Sequence, residues 1–233
     1  MKKLWMLALV TVFCGAGVAH AQSDVMDIIG YLYESDNTPG VQGFPPSNPG
    51  DVLAGLGYVD NISAPLTWSQ ADYEYTFVLS DLVSLGEADL GGGNYRTFYM
   101  GGSIDIIAQE YAGAGYTMPF YGVDPPDALA IASFGDGEVY LHGTFTNFAV
   151  NFNTTTQVGN FQGTLVFQLG SHYDELGQEL QNPNAVTIAG LIGQDVDPTV
   201  PDGYDLEADG HIYYDGTIPN EDMTWTQLKT LYR

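Results

Sequence analysis

The sequence predicts an all-β protein, an antiparallel β-sandwich of jelly-roll type with one short internal helix and a short C-terminal helix. Three observations carry that prediction. Residues 161–169 alternate, with Phe161, Gly163, Leu165, Phe167 and Leu169 on one face and Gln162, Thr164, Val166 and Gln168 on the other. A two-residue period is what a strand shows when one face is buried and the other is wet. Residues 73–80 repeat the pattern, with Tyr73, Tyr75, Phe77 and Leu79 set against Glu74, Thr76, Val78 and Ser80. Turn signals, led by Gly135-Asp136-Gly137, then divide 129–134, 138–152 and 161–169 into the runs of an antiparallel meander.

In chain order, residues 1–21 read as a signal peptide. Lys2 and Lys3 precede a short apolar run, and Ala19-His20-Ala21 has the small-x-small form of a cleavage site before Gln22. Cys14 lies inside this leader behind Phe13, where a lipidated cysteine needs a small residue, so the lipoprotein reading is disfavoured. The mature chain then has no thiol and forms neither disulfides nor zinc-thiolate sites. No Pro/Ser-rich linker divides 22–233, which is read as a single β-sandwich domain.

Residues 25–33 form the first predicted strand. The stretch 34–51, with Pro39-Gly40, Pro45-Pro46 and Asn48-Pro49-Gly50, reads as a long surface loop, and irregular structure is expected on to about Ser69. Gly91-Gly-Gly-Asn94 is a turn; with no lysine following, it is not a phosphate loop. Strands are expected at 95–100 and 103–109 around a Gly101-Gly102 kink, then a loop over 111–127. Within 138–152 the apolar positions switch face near Thr146-Asn147, which implies a bulge or a strand crossing between sheets. Ser171 and Asp174 open the internal helix, Leu176 and Leu180 share one face, and Asn182-Pro183 ends it. Residues 185–192 are a further strand. Thr224, Gln227 and a Met223–Leu228 staple define the C-terminal helix.

Charge is the strongest compositional fact. The full chain has a formal net charge of −24, and without its leader it keeps only Arg96, Lys229 and Arg233 against 29 carboxylates. Nucleic acid is excluded as a direct ligand, because binding needs cations that displace counterions from phosphate. No membrane span is expected once the leader is removed. The candidate metal ligands lie in the acidic run Asp195, Asp197, Asp202, Asp205, Glu207 and Asp209, with calcium the candidate cofactor. Asp205, Glu207, Asp209, Gly210 and Ile212 match positions 1, 3, 5, 6 and 8 of an EF-hand-type loop, but Gly216 stands where the closing acid belongs. The alternative is an exposed acidic turn before an edge strand. His142, His172 and His211 have no helical metal spacing and read as structural or surface histidines. No HExxH or GxSxG occurs, so no catalytic residue is assigned.

The runs Thr97-Phe-Tyr-Met-Gly-Gly-Ser-Ile-Asp-Ile106, Ala132-Ser-Phe-Gly-Asp-Gly-Glu-Val-Tyr-Leu-His-Gly-Thr-Phe145 and Gly159-Asn-Phe-Gln-Gly-Thr-Leu-Val-Phe167 carry a resemblance. They resemble the β-sandwich ectodomains of bacterial secreted and surface proteins that often carry PEP-CTERM sorting tails. The likeness covers about 70–195 and implies an extracellular module; no catalytic residues carry over. The chain departs from the pattern at its end, which lacks the Pro-Glu-Pro motif, apolar helix and basic finish. The expected function is an exported, non-catalytic β-sandwich protein with a cell-surface, matrix or adhesion role, secreted, extracellular or periplasmic. Its alternative is a calcium-assisted carbohydrate-binding module or glycan-active enzyme, with a cell-surface or glycan partner. An eight-stranded outer-membrane barrel is a third reading. Long Pro-rich loops, irregular strand spacing and a C-terminal helix speak against it.

Overall fold

A computed structural model describes residues 23–35, 44–113, 115–122, 127–177, 186–194 and 200–214. Nine strands follow in chain order: β1 (Ser23–Ser35), β2 (Val52–Ile62), β3 (Tyr73–Gly91), β4 (Asn94–Met100), β5 (Ser103–Glu110), β6 (Glu138–Asn153), β7 (Val158–Leu169), β8 (Val186–Gly193) and β9 (Leu206–Tyr214). One helix, α1 (Ala128–Phe134), stands between β5 and β6.

Every strand pairs antiparallel with its neighbours in one sheet. β4 and β5 both lie between β3 and β6, so together they act as one long strand broken at Gly101-Gly102. β9 pairs back onto β1, from Ser23 opposite Tyr214 to Leu32 opposite Leu206. The sheet therefore closes into an eight-stranded antiparallel barrel, which overturns the predicted sandwich. The physical reason is that facing sheets and a closed sheet impose the same alternation on each strand. What separates them is whether the first and last strands pair, and periodicity does not report that.

Eight strands enclose an interior just wide enough for side chains to fill. Here Phe77, Phe148, Phe161 and Phe167 fill it with Met26, Leu32, Leu53, Ile104, Ile106, Leu141, Leu165 and Ile188, all buried. Two aromatic rings sit over cross-strand glycine pairs. Gly30 and Gly57 lie opposite each other under Phe77, and Gly190 and Gly210 lie opposite each other under Phe161. A Cβ at Gly57 would stand 2.4 Å from the Phe77 ring and 2.2 Å from the Ile29 carbonyl oxygen. Within the stretch expected to be irregular, 52–62 is strand: Gly55 and Gly57 weaken strand propensity there, yet the core needs the space.

A row of irregularities bends the sheet round its corner. β3 shifts register beside Asp81 (φ 60°), β4 turns into β5 at Gly101 and Gly102 (φ 69° and 82°), and β6 shifts between Phe145 and Asn147. The face switch read near Thr146-Asn147 is thus a bulge. It does not mark a crossing between sheets.

The helices differ from expectation. Residues 129–134 are helical rather than strand; Asp127 caps them, its side chain accepting from the Leu129 N–H at 2.8 Å. A short apolar run is ambiguous by period alone, and the cap decides this one. The expected internal helix is, among described residues, a single 3-10 turn at Tyr173–Glu175; its remainder from 178 lies outside them. The leader and the C-terminal helix also lie outside the described residues.

Both barrel ends are covered. Where β1 begins, Leu66 and Leu176 are buried, Thr67 donates to Glu175 and accepts from Tyr140, and His172 stacks on Tyr140. Where β1 finishes, residues 44–51 fold over the mouth. Phe44 packs on Phe152, and residues 47–51 exchange backbone hydrogen bonds with Ser84 and Glu87 of β3.

Candidate functional site

The described part of the acidic run, from Asp202 to Asp209, does not form a loop around a common centre. Residues 206–214 are strand, so Glu207 and Asp209 sit on successive outer-face positions of β9, about 7 Å apart along an extended chain. Asp205 lies just before the strand and accepts from the Glu34 N–H at 2.8 Å; Asp202 is in an exposed turn. Asp195 and Asp197 lie outside the described residues. An extended segment cannot wrap its alternate oxygens round one ion, as an EF-hand-type loop must.

Pairing of β1 with β9 assembles a different group. His211 is opposite Asp27, with Nδ1 2.7 Å from Asp27 Oδ1 and 4.0 Å from Asp24 Oδ2. Asp24, Asp27 and His211 place one ligand atom each within 4.8 Å of the others. Oxygen and imidazole donors together suit several divalent ions, and the geometry is not specific to calcium. The sequence did not show this site, because its halves are more than 180 residues apart. A second, half-buried pair, His142 Nδ1 with Asp105 Oδ1 at 2.6 Å, joins β6 to β5.

The outer face of β6 and β7 has another character. Between Glu138 and Asp174 the chain contains no Asp, Glu, Lys or Arg, in a protein otherwise crowded with carboxylates. Cross-strand hydrogen bonds tie its polar side chains in a ladder. Asn153 Nδ2 donates to Asn94 Oδ1 of β4 (2.7 Å), and Asn151 Nδ2 to Asn160 Oδ1 (2.8 Å). Asn147 Nδ2 donates to Thr164 Oγ1 (3.0 Å), and Gln168 Nε2 to Thr144 Oγ1 (2.7 Å). The ladder runs into a shallow groove of about 550 Å³ beside Leu90, Tyr95 and Val158. Arg96 of β4 lies opposite Asn151, its guanidinium over Phe98 at 5.3 Å. Alternation exposes these residues, and the charge-free stretch was the sequence signal that could have marked them.

Inside the covered mouth lies a buried polar cluster. Tyr99 donates to Glu34 Oε2 at 2.5 Å, and the Ser47 and Ser84 hydroxyls share a hydrogen bond of 2.7 Å. Burial, with the nearby carboxylates of Asp51 and Asp205 adding to it and the Tyr99 and Ser47 hydroxyls opposing, pushes the Glu34 carboxyl up to about 7. Burial and the same carboxylate hold the Tyr99 phenol well above its ordinary range. The loop over 44–51 covers this cluster, so its role is read as structural.

No described helix is long and apolar enough to cross a membrane. Comparison with protein-family models, with curated proteins and with solved structures finds no match to this chain.

Proposed function

We propose that this is an exported, non-catalytic barrel protein with a cell-surface, matrix or adhesion role. The observation that supports it is the filled interior: the barrel is packed with its own side chains, so its outer face carries the chemistry available to partners. Expression with residues 1–21 in a bacterial host tests the reading. The expected outcome is a processed chain beginning at Gln22 that co-fractionates with envelope or matrix material. An unprocessed chain held in the cytoplasm, or a processed chain free in the medium, would overturn it.

A calcium-assisted carbohydrate-binding role is the second reading, favoured by the Asp24, Asp27 and His211 group. Calcium bound there raises the melting temperature through its preference for the folded state, and a chelator reverses the rise. A melting curve that calcium and EDTA leave unmoved removes the cation from the reading. The Asp27→Asn variant, expected to abolish any calcium-dependent rise, locates the effect.

A further inference from the structure

We propose that the amide ladder on the outer face of β6 and β7 is a binding strip for an extended, uncharged polysaccharide chain. The inference rests on the surface and adhesion reading and names the ligand class and the place where it binds.

Charge comes first. The chain has 29 carboxylates, yet none falls between Glu138 and Asp174, the segment that builds this hairpin. An anionic polymer meets repulsion from the molecule as a whole. A cationic polymer finds its partners on the other faces, where the carboxylates lie. A neutral polyol is the ligand that this strip suits and the rest of the surface does not. Binding it here desolvates no ionised carboxylate.

Hydrogen-bond valence comes second. Each side-chain amide offers one acceptor oxygen and two donor hydrogens. The Asn151–Asn160 bond uses one hydrogen of Asn151 and the oxygen of Asn160. That leaves by valence an acceptor on Asn151 and donors on Asn160, side by side. Gln162 follows on the same face of β7. Sugar hydroxyls both donate and accept, so paired amides meet them in both senses. The cross-strand bonds fix these side chains beforehand, which lowers the rotamer entropy lost on binding.

Shape comes third. Residues 144–153 of β6 run roughly 30 Å as a nearly continuous strand, long enough for several sugar rings. Leu90 and Tyr95 edge the groove where the strip ends, offering apolar surface to a ring face. Arg96, opposite Asn151, adds donors beside the strip, and its buried Nε has no hydrogen-bond partner among the described residues.

The test is sedimentation of the full chain with insoluble cellulose, chitin and a neutral β-glucan, alongside alginate as an acidic control. At least one neutral polymer is expected to bind and alginate is not. Asn151→Asp with Asn160→Asp keeps the side-chain size and adds two charges; it should weaken binding by at least about tenfold. Gln162→Glu, beside the ladder on the same face of β7, should weaken it as well. Asp136→Asn, in the exposed turn before β6, should leave it unchanged. Melting curves of each variant confirm that loss of binding is not loss of fold. Binding that survives all the strip variants overturns the site while leaving the adhesion reading intact. Binding only to alginate, or to no polymer, overturns the proposal. So does a concentration-dependent dimer that the strip variants abolish, since a second copy would then be the occupant. Failure of the adhesion reading shows separately, as a processed chain that associates with no envelope or matrix fraction.

Discussion

Glu34 is one of the few carboxyls enclosed by the barrel, and its environment has a measurable consequence. Folded, it keeps its proton up to about pH 7, whereas the unfolded side chain ionises near 4.5. The native state binds the extra proton between those values, so this group's contribution to stability is fully present below the unfolded value. It falls as pH rises through the window, by roughly 3 kcal/mol in all. Urea denaturation of the wild type at pH 5 and pH 8 should show this loss. Glu34→Gln, which still accepts from Tyr99, should flatten it and be the more stable protein at pH 8. Equal pH dependence in both proteins would show that another group is responsible. Glycine offers a second test at this scale. Gly57→Ala places a Cβ 2.2 Å from a backbone oxygen and should destabilise by about 3 kcal/mol. Gly193→Ala, with nothing within 4 Å of its Cβ, should change stability by less than about 0.5 kcal/mol. Denaturation midpoints of the two variants decide between them.

At the scale of elements, α1 shows how one polar residue redirects a run of apolar ones. Asp127 satisfies the Leu129 N–H, Gly135 ends the helix, and Thr76 of β3 donates to the Phe134 carbonyl at 2.6 Å. Phe134 then joins Tyr31, Tyr58, Tyr121 and Tyr204 in an aromatic cluster on the outside of the barrel. Asp127→Ala should cost about 1 kcal/mol and speed amide exchange in α1 while leaving β6 protected. Uniform exchange across both would mean that the helix is not a separate unit of stability. The β6–β7 hairpin behaved otherwise. Its alternation, its change of face and its turn were all legible, because each depends on neighbours close in sequence. The expected irregularity of 52–62 was not correct, since the reason for its glycines is Phe77 on a different strand.

At the scale of the whole molecule, carboxylates outnumber cations throughout, and closure packs them round one barrel. Raising salt from about 0.01 M to about 1 M shortens the Debye length from about 30 Å to about 3 Å. The melting temperature should rise over that range as self-repulsion is screened. A melting temperature independent of salt would indicate that the carboxylates are already compensated within the fold. The same closure places Asp24 and Asp27 beside His211, joining the two ends of the described chain.

The all-β class, most strand positions, the change of face near Asn147 and the acidic balance follow from residue order alone, because period, turn chemistry and charge are local properties. Barrel rather than sandwich and the company kept by His211 were decided only when distant segments met; helix rather than strand at 129–134 turned on the Asp127 cap, which an apolar run does not report. Pairing between β1 and β9 depends on the curvature accumulated across the whole sheet, and no stretch of sequence carries that sum.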